Sequence, residues 1–197
     1  MNEDLYSEET RKFMPEEKKA SIKAEVFSWV KVIVSAIIIA LLVDFFIIAN
    51  AVVPTGSMET TIPAGSRIMG LRLYYDFNEP ERGDIVIFKY PDDESVDYLK
   101  RIIGLPGETV QVKDGYVYIN GEKLESDIYG KEVMQSAGIA AEPITLGDDE
   151  YFVLGDNRNN SSDSRDPSVG ILKRKDLLGR AWVRIYPFDK VGVIRHE

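Results

Sequence analysis

Apolar residues along the chain fall into two regimes. From Val32 to Val53 the run VIVSAIIIALLVDFFIIANAVV holds one charged residue, Asp44, and carries no polar stripe. At about 1.5 Å per helical residue it can cross a hydrocarbon layer of about 30 Å, and a helix apolar all round leaves no face for water. The pattern predicts one transmembrane helix over 32–53. Beyond Pro54 the apolar positions shorten into β-type runs broken by turn pairs, several of them alternating: DIVIFKY at 84–90, TVQVKDGYVYINGEKL at 109–124, YFVLGDN at 151–157 and RAWVRIYPF at 180–188. Alternation is the period of a half-buried strand. Asp114-Gly115 and Asn120-Gly121 are turn pairs that close such strands into hairpins. The expected fold class is therefore mainly β, an antiparallel sheet domain with a small β excursion, preceded by one N-terminal transmembrane helix. A small inserted subdomain is expected at about 109–150, with a short helix near KEVMQSAG at 131–138.

Charge orients the span. Lys18, Lys19, Lys23 and Lys31 precede it, and no Lys or Arg follows until Arg67. The positive-inside bias puts 1–31 in the cytoplasm as a short arm and 54–197 outside the membrane as a β-rich domain. Asp44 inside the apolar run costs about 2.5 to 3.5 kcal/mol if it sits charged at the bilayer centre. Ala49-Asn50-Ala51 has the small-residue spacing of a signal-peptide cleavage site, and processing near Ala51 is a rival reading. The run exceeds the 7 to 15 or so residues of a cleavable signal core, which favours a retained anchor.

Composition narrows the chemistry. The net charge of −9 opposes a polyanionic partner, so nucleic acid is set aside. Cysteine is absent, which removes thiol nucleophiles, disulfides and thiolate metal sites. The single histidine, His196, is expected in a frayed tail, and one histidine cannot build a paired-histidine zinc site. No metal and no organic cofactor is implied.

Directly after the span comes PTGSMETTIPAGS, 54–66, with Ser57 flanked by glycine. A turn or linker is one reading; a nucleophile is the other. A serine hydroxyl attacks a peptide carbonyl only when a neighbouring base takes its proton, and with no cysteine and a single remote histidine the remaining base is a neutral lysine. Lysine titrates near 10.4 unless apolar burial lowers it. Lys100 in DYLKRIIGLPGE is enclosed by Leu99, Ile102 and Ile103, although most lysines are solvated surface groups. GDNRNNSSDSR, 155–165, reads either as a polar loop or as a shell of hydroxyls and ion pairs around an amine.

These segments together resemble the bacterial type I signal peptidases, membrane-anchored serine proteases that remove signal peptides from exported proteins. The anchor, PTGSM, RGDIVIF at 82–88, YLKRIIGLPGE at 98–108 and GDNRNNSSDSR follow in the family's order from residue 32 onward. The resemblance implies Ser57 as nucleophile and Lys100 as general base. It implies an oxyanion site made by the Ser57 N–H and the Thr55 hydroxyl. Ser161 matches the serine that orients the lysine, and Asp163 with Arg165 and Asp156 with Arg101 match supporting ion pairs. Val53, Met58, Ile62, Tyr98 and Leu99 match positions that line small substrate pockets, and each is equally well explained as core. The implied substrate is an exported preprotein that adds its signal-peptide end as a strand and is cut after an A-x-A-type site. The bilayer and the secretion machinery are the other implied partners, and the implied location is the bacterial cell membrane, single-pass. Thr60 stands where the family usually has proline. The alternative is a catalytically silent, membrane-tethered domain that binds peptides in the same groove.

Overall fold

The computed structural model describes residues 16–130 and 132–196. The part of the expected cytoplasmic arm before Glu16 lies outside them. The chain divides into two units, 1–44 and 45–197.

The first unit is a helix, α1, Glu16–Phe46, whose stretch Ala24–Asp44 is long and apolar enough to cross a membrane, with none of it buried within the protein. Its 21 residues rise about 31 Å, close to the thickness of a hydrocarbon core. The helix differs in its bounds from the run expected over 32–53. It begins earlier and stops at Phe46, and Ile48–Val52 forms strand β1. The reason is visible in IANAV: Ala49 and Ala51 alternate into the core while Asn50 and Val52 face outward, a period of two that serves a sheet and not a helix.

The second unit is built from two antiparallel sheets. Strands β2 (Arg67–Leu71), β3 (Ile85–Tyr90), β4 (Asp93–Gly104), β9 (Glu150–Leu154), β10 (Leu172–Lys173) and β11 (Leu177–Tyr186) join β1 in the order β1-β2-β11-β3-β4-β9-β10, and β12 (Gly192–Val193) pairs with β11. Between β4 and β9 the chain leaves to form a second sheet, β7-β6-β5-β8, from Thr109–Lys113 (β5), Tyr116–Ile119 (β6), Glu122–Lys123 (β7) and Ile144–Thr145 (β8). Asp114 and Gly115, then Asn120 and Gly121, all have positive φ, as two-residue hairpin turns of this hand require. The short helix expected at 131–138 does not form: the described residues 132–137 are irregular, and a 3-10 turn begins only at Gly138, whose φ of +54 disfavours a continuing α-helix.

Apolar burial explains why the site is rigid. One cluster joins Ala49, Ala51 and Val53 from β1 and its exit to Met58, Ile62, Ile85, Ile87 and Leu99. A second packs Val86, Phe88 and Ile102 against Tyr151 and Val153 from the other sheet face, and a third fills the space between the sheets around Ile103, Val110, Phe152 and Leu154. His196 does not fray. Its ring is only 11% exposed and is bonded between β11 and Ile85, the first residue of β3.

Candidate active site

Ser57 sits in a 3-10 turn, Gly56–Met58, immediately after β1. Met58 and Ile62 are fully buried, and the Ile62 N–H donates to the Met58 carbonyl, so the turn is pinned from beneath by two apolar anchors. From the other side the Asn157 N–H donates to the Ser57 carbonyl and Asn157 Nδ2 to the Gly56 carbonyl, each at 3.0 Å. Gly155 is obligatory at this approach: a Cβ there would lie 2.6 Å from the Ser57 carbonyl oxygen and 2.2 Å from Ser161 Oγ.

Lys100 lies in the middle of β4, opposite Val86 of β3. Successive residues of a strand point to opposite faces, so Lys100 and Arg101 part company there. Lys100 Nζ comes within 2.8 Å of Ser57 Oγ. Burial lowers the lysine's titration to about 8, against the opposing pull of the Asp163 and Asp156 carboxylates. A useful fraction of the amine is therefore neutral near neutral pH.

Arg101 is fully buried and forks onto Asp156, with Nε to Oδ1 and Nη2 to Oδ2 both at 2.8 Å. Asp163 accepts from Arg165 through Nε and Nη2 and from the Gly155 N–H. Arg165 then reaches the carbonyls of Arg158 and Ser136. The polar loop 155–165 is thus held by buried charge-assisted bonds, which are stronger than neutral ones.

A cavity of about 400 Å³ opens beside Ser57 and Lys100. Val53, Thr55, Tyr98, Leu99 and Ser161 line it, together with Ala51 and Val52. Met58 and Ile62, offered above as pocket or core, belong to the core. Ser161 Oγ is buried without a hydrogen-bond partner, so the bond expected from it to the lysine is not formed here. Tyr98 instead presents its ring 5.0 Å from Lys100 Nζ and stacks on Tyr90. A larger cavity, about 490 Å³ between Thr60, Arg184 and Val193, holds neither Ser57 nor Lys100; chemistry and not volume identifies the site. Among the described residues no cluster of His, Cys, Asp or Glu could hold a metal ion.

Some contributors were not legible as such. Thr61 donates its hydroxyl to Asp156 Oδ2 at 2.5 Å, tying the turn that carries Ser57 to the ion pair beneath Lys100. Arg158 pairs with Asp127 in the connection after β7, a contact that only the folded chain creates. Thr61 lies inside the 54–66 stretch without a signal of its own, and nothing in the sequence marked Asp127.

The family described as signal peptidase, peptidase S26, matches residues 26–186. The chain belongs to it. Signal peptidase I of Bacillus licheniformis is 35% identical over 184 residues, 90% of this chain and 98% of that protein. A probable signal peptidase I-2 of Synechocystis is 38% identical over 172 residues, 85% of this chain and 76% of that protein. A signal peptidase I structure from Enterococcus faecalis, 35% identical, covers 52% of this chain and 97% of its own with a TM-score of 0.45. Membership makes this chain a serine endopeptidase of the signal peptidase type.

Proposed function

We propose that the chain is a single-pass membrane endopeptidase that removes signal peptides from exported preproteins after A-x-A-type sites, with Ser57 as nucleophile and Lys100 as general base. The observation that carries this reading is the 2.8 Å approach of a buried, acid-shifted lysine to a serine hydroxyl. Neutral Lys100 Nζ takes the Ser57 proton as Oγ bonds to the scissile carbonyl carbon. The resulting oxyanion is met by the Ser57 N–H and the Thr55 hydroxyl, preorganised donors of a kind commonly worth about 2.7 to 4 kcal/mol each. The ammonium of Lys100 gives its proton to the leaving amine, which departs as the new N-terminus. Neutral Lys100 then takes a proton from water as its oxygen bonds to the ester carbon; the C–Oγ bond breaks, the ammonium returns the proton to Ser57 Oγ, and the signal peptide leaves as a carboxylate.

The groove supports an extended substrate. Strand β9 pairs with β4 only along Arg101–Gly104, so among the described residues 93–99 has no strand on that side. A peptide entering there could bond to the backbone of Tyr98 and Leu99 on one flank, with the exit from β1 on the other. Val53 and Leu99 narrow the walls to small side chains. Asp156 with Arg101 and Asp163 with Arg165 hold geometry and transfer no proton. Ser161 acts on the lysine only after a rotation of one of the two groups. The substrate-bearing domain lies outside the membrane and the N-terminus in the cytoplasm.

Cleavage of a preprotein carrying an A-x-A site, in detergent micelles, tests the reading. Wild type is expected to cut after the second alanine, and Ser57→Ala and Lys100→Ala to abolish cutting. A wild type that binds the preprotein tightly without cutting it would instead identify a silent peptide-binding domain.

A further inference from the structure

Arg101 is wholly buried, and its fork onto Asp156 accounts for only part of its bonding. Its Nη1 donates to the Gly83 carbonyl at 2.6 Å and to the His196 carbonyl at 2.9 Å. The approach is tight: a Cβ on Gly83, whose φ is +96, would stand 2.8 Å from that His196 oxygen. The imidazole is equally fixed. Ile85 N–H donates to Nδ1 at 2.9 Å, and Nε2 lies 2.9 Å from the Ala181 carbonyl. Burial first, then the nearby Arg180 charge, push the ring down to about 4, so it is neutral, with Nδ1 accepting and Nε2–H donating.

This bridge stands where the backbone ladder fails. Strands β11 and β3 pair from Leu177↔Phe88 to Arg180↔Val86, and no pair follows toward Ile85. The ring joins the next positions, Ala181 and Ile85, in place of main-chain bonds. Ile85 is in turn the register partner of Arg101 in β4. The ring thus ties β11 to β3, and by fixing the residue it also fixes the main-chain carbonyl that receives Arg101 of β4, next to Lys100. Asp84, Arg180 and Arg101 face the ring, which also borders a cavity that Arg82, Asp127 and Tyr129 help to line. Asp84 is neutralised by Arg180 and bonded by the Tyr75 hydroxyl.

We propose that His196 is a positioning residue for the Ser57–Lys100 pair, acting through Arg101 and Asp156. The inference rests on the dyad reading above. Asp156 receives both the Arg101 fork and the Thr61 hydroxyl, so a loosened Arg101 frees the ion pair under the lysine and the turn that carries Ser57. Water then reaches Lys100, its desolvation falls, and its titration moves up toward that of an ordinary lysine.

The test is preprotein cleavage by the full chain in micelles, with kcat, KM and the pH profile measured for wild type, His196→Phe and His196→Gln. Phenylalanine fills the space without polar atoms; the glutamine amide offers one acceptor and one donor. His196→Phe is expected to lower kcat about tenfold with KM little changed, in keeping with the steep cost of small misplacements in active sites. It is also expected to move the acid limb of the profile to higher pH, and His196→Gln to restore most of both. A folded His196→Phe with unchanged kcat and acid limb would overturn the proposal, as would a glutamine variant no better than phenylalanine. If His196→Phe does not fold, His196→Asn, whose shorter amide accepts from Ile85 without spanning to Ala181, decides instead: a lowered kcat with the acid limb moved up supports the proposal, and unchanged values overturn it. Lys100→Ala separates the two failures: a fully active Lys100→Ala removes the dyad itself, whereas an inactive one beside an unaffected His196→Phe removes only this inference.

Discussion

A lysine amine serves as a base only while it is neutral, so on the proposed dyad the burial that lowers Lys100 to about 8 sets the pH at which cleavage becomes possible. Below that pH the amine is protonated and cannot take the Ser57 proton; above it the neutral form dominates. Cleavage by wild type is therefore expected to rise with pH, about tenfold per unit below the titration, and to level off above about 8, since each pH unit changes the neutral fraction tenfold. The measurement is kcat/KM for a preprotein across that range, and a flat profile would mean that Lys100 is not the base. The burial of Lys100 was legible in part, since Leu99, Ile102 and Ile103 flank it in sequence, although such neighbours alone do not force a lysine inside. Ser161 was less legible. Its position beside Lys100 could be matched, but the rotamer that leaves its hydroxyl without a partner is a matter of packing and has no sequence signature.

The elements show where local pattern and tertiary structure part. Alternation over 109–124 marks strands of a sheet buried on one face, whereas the continuous apolar runs in 84–90 and 151–157 mark β3 and β9, which are buried on both faces. The stretch 48–52 misleads, since Ile, Ala and Val after a long helix continue its apolar character, and only pairing with β2 reveals the strand. That pairing also bears on self-cleavage. Ala49 and Ala51 are buried and fixed in register against Gly70 and Ile68, so an A-x-A match there would have to leave the sheet before it could enter a groove. Ion pairs follow the same logic of context. Asp156→Ala leaves the Arg101 guanidinium buried without its carboxylate, and breaking such a pair costs about 3 to 5 kcal/mol. Lys89→Ala, at a pair with Asp97 whose lysine side chain is 42% exposed, should cost no more than about 1 kcal/mol. Thermal unfolding of the full chain in micelles compares the two, and equal losses would mean that the Arg101–Asp156 pair is not the structural anchor its burial suggests.

At the scale of the whole molecule, one apolar helix and one β domain divide the labour of location and chemistry. A protease of this kind can meet only substrates presented at the same membrane face as its own groove, so orientation is part of the mechanism. The lysines before the span and their absence between the span and Arg67 favour a cytoplasmic N-terminus, because basic residues flanking a span resist translocation. In right-side-out vesicles carrying the full chain, protease added from outside is expected to digest the domain beyond Pro54 and to spare a tag placed before Met1. Sealed inverted vesicles should give the reverse, with the tag lost and the domain protected. The opposite pattern would put Ser57 in the cytoplasm, where preproteins have not yet been translocated, and would remove signal-peptide cleavage as this chain's function even with its dyad intact. Adding lysines after residue 54 should weaken the bias and yield a mixed population, which ties the orientation to charge and not to the fold of the domain.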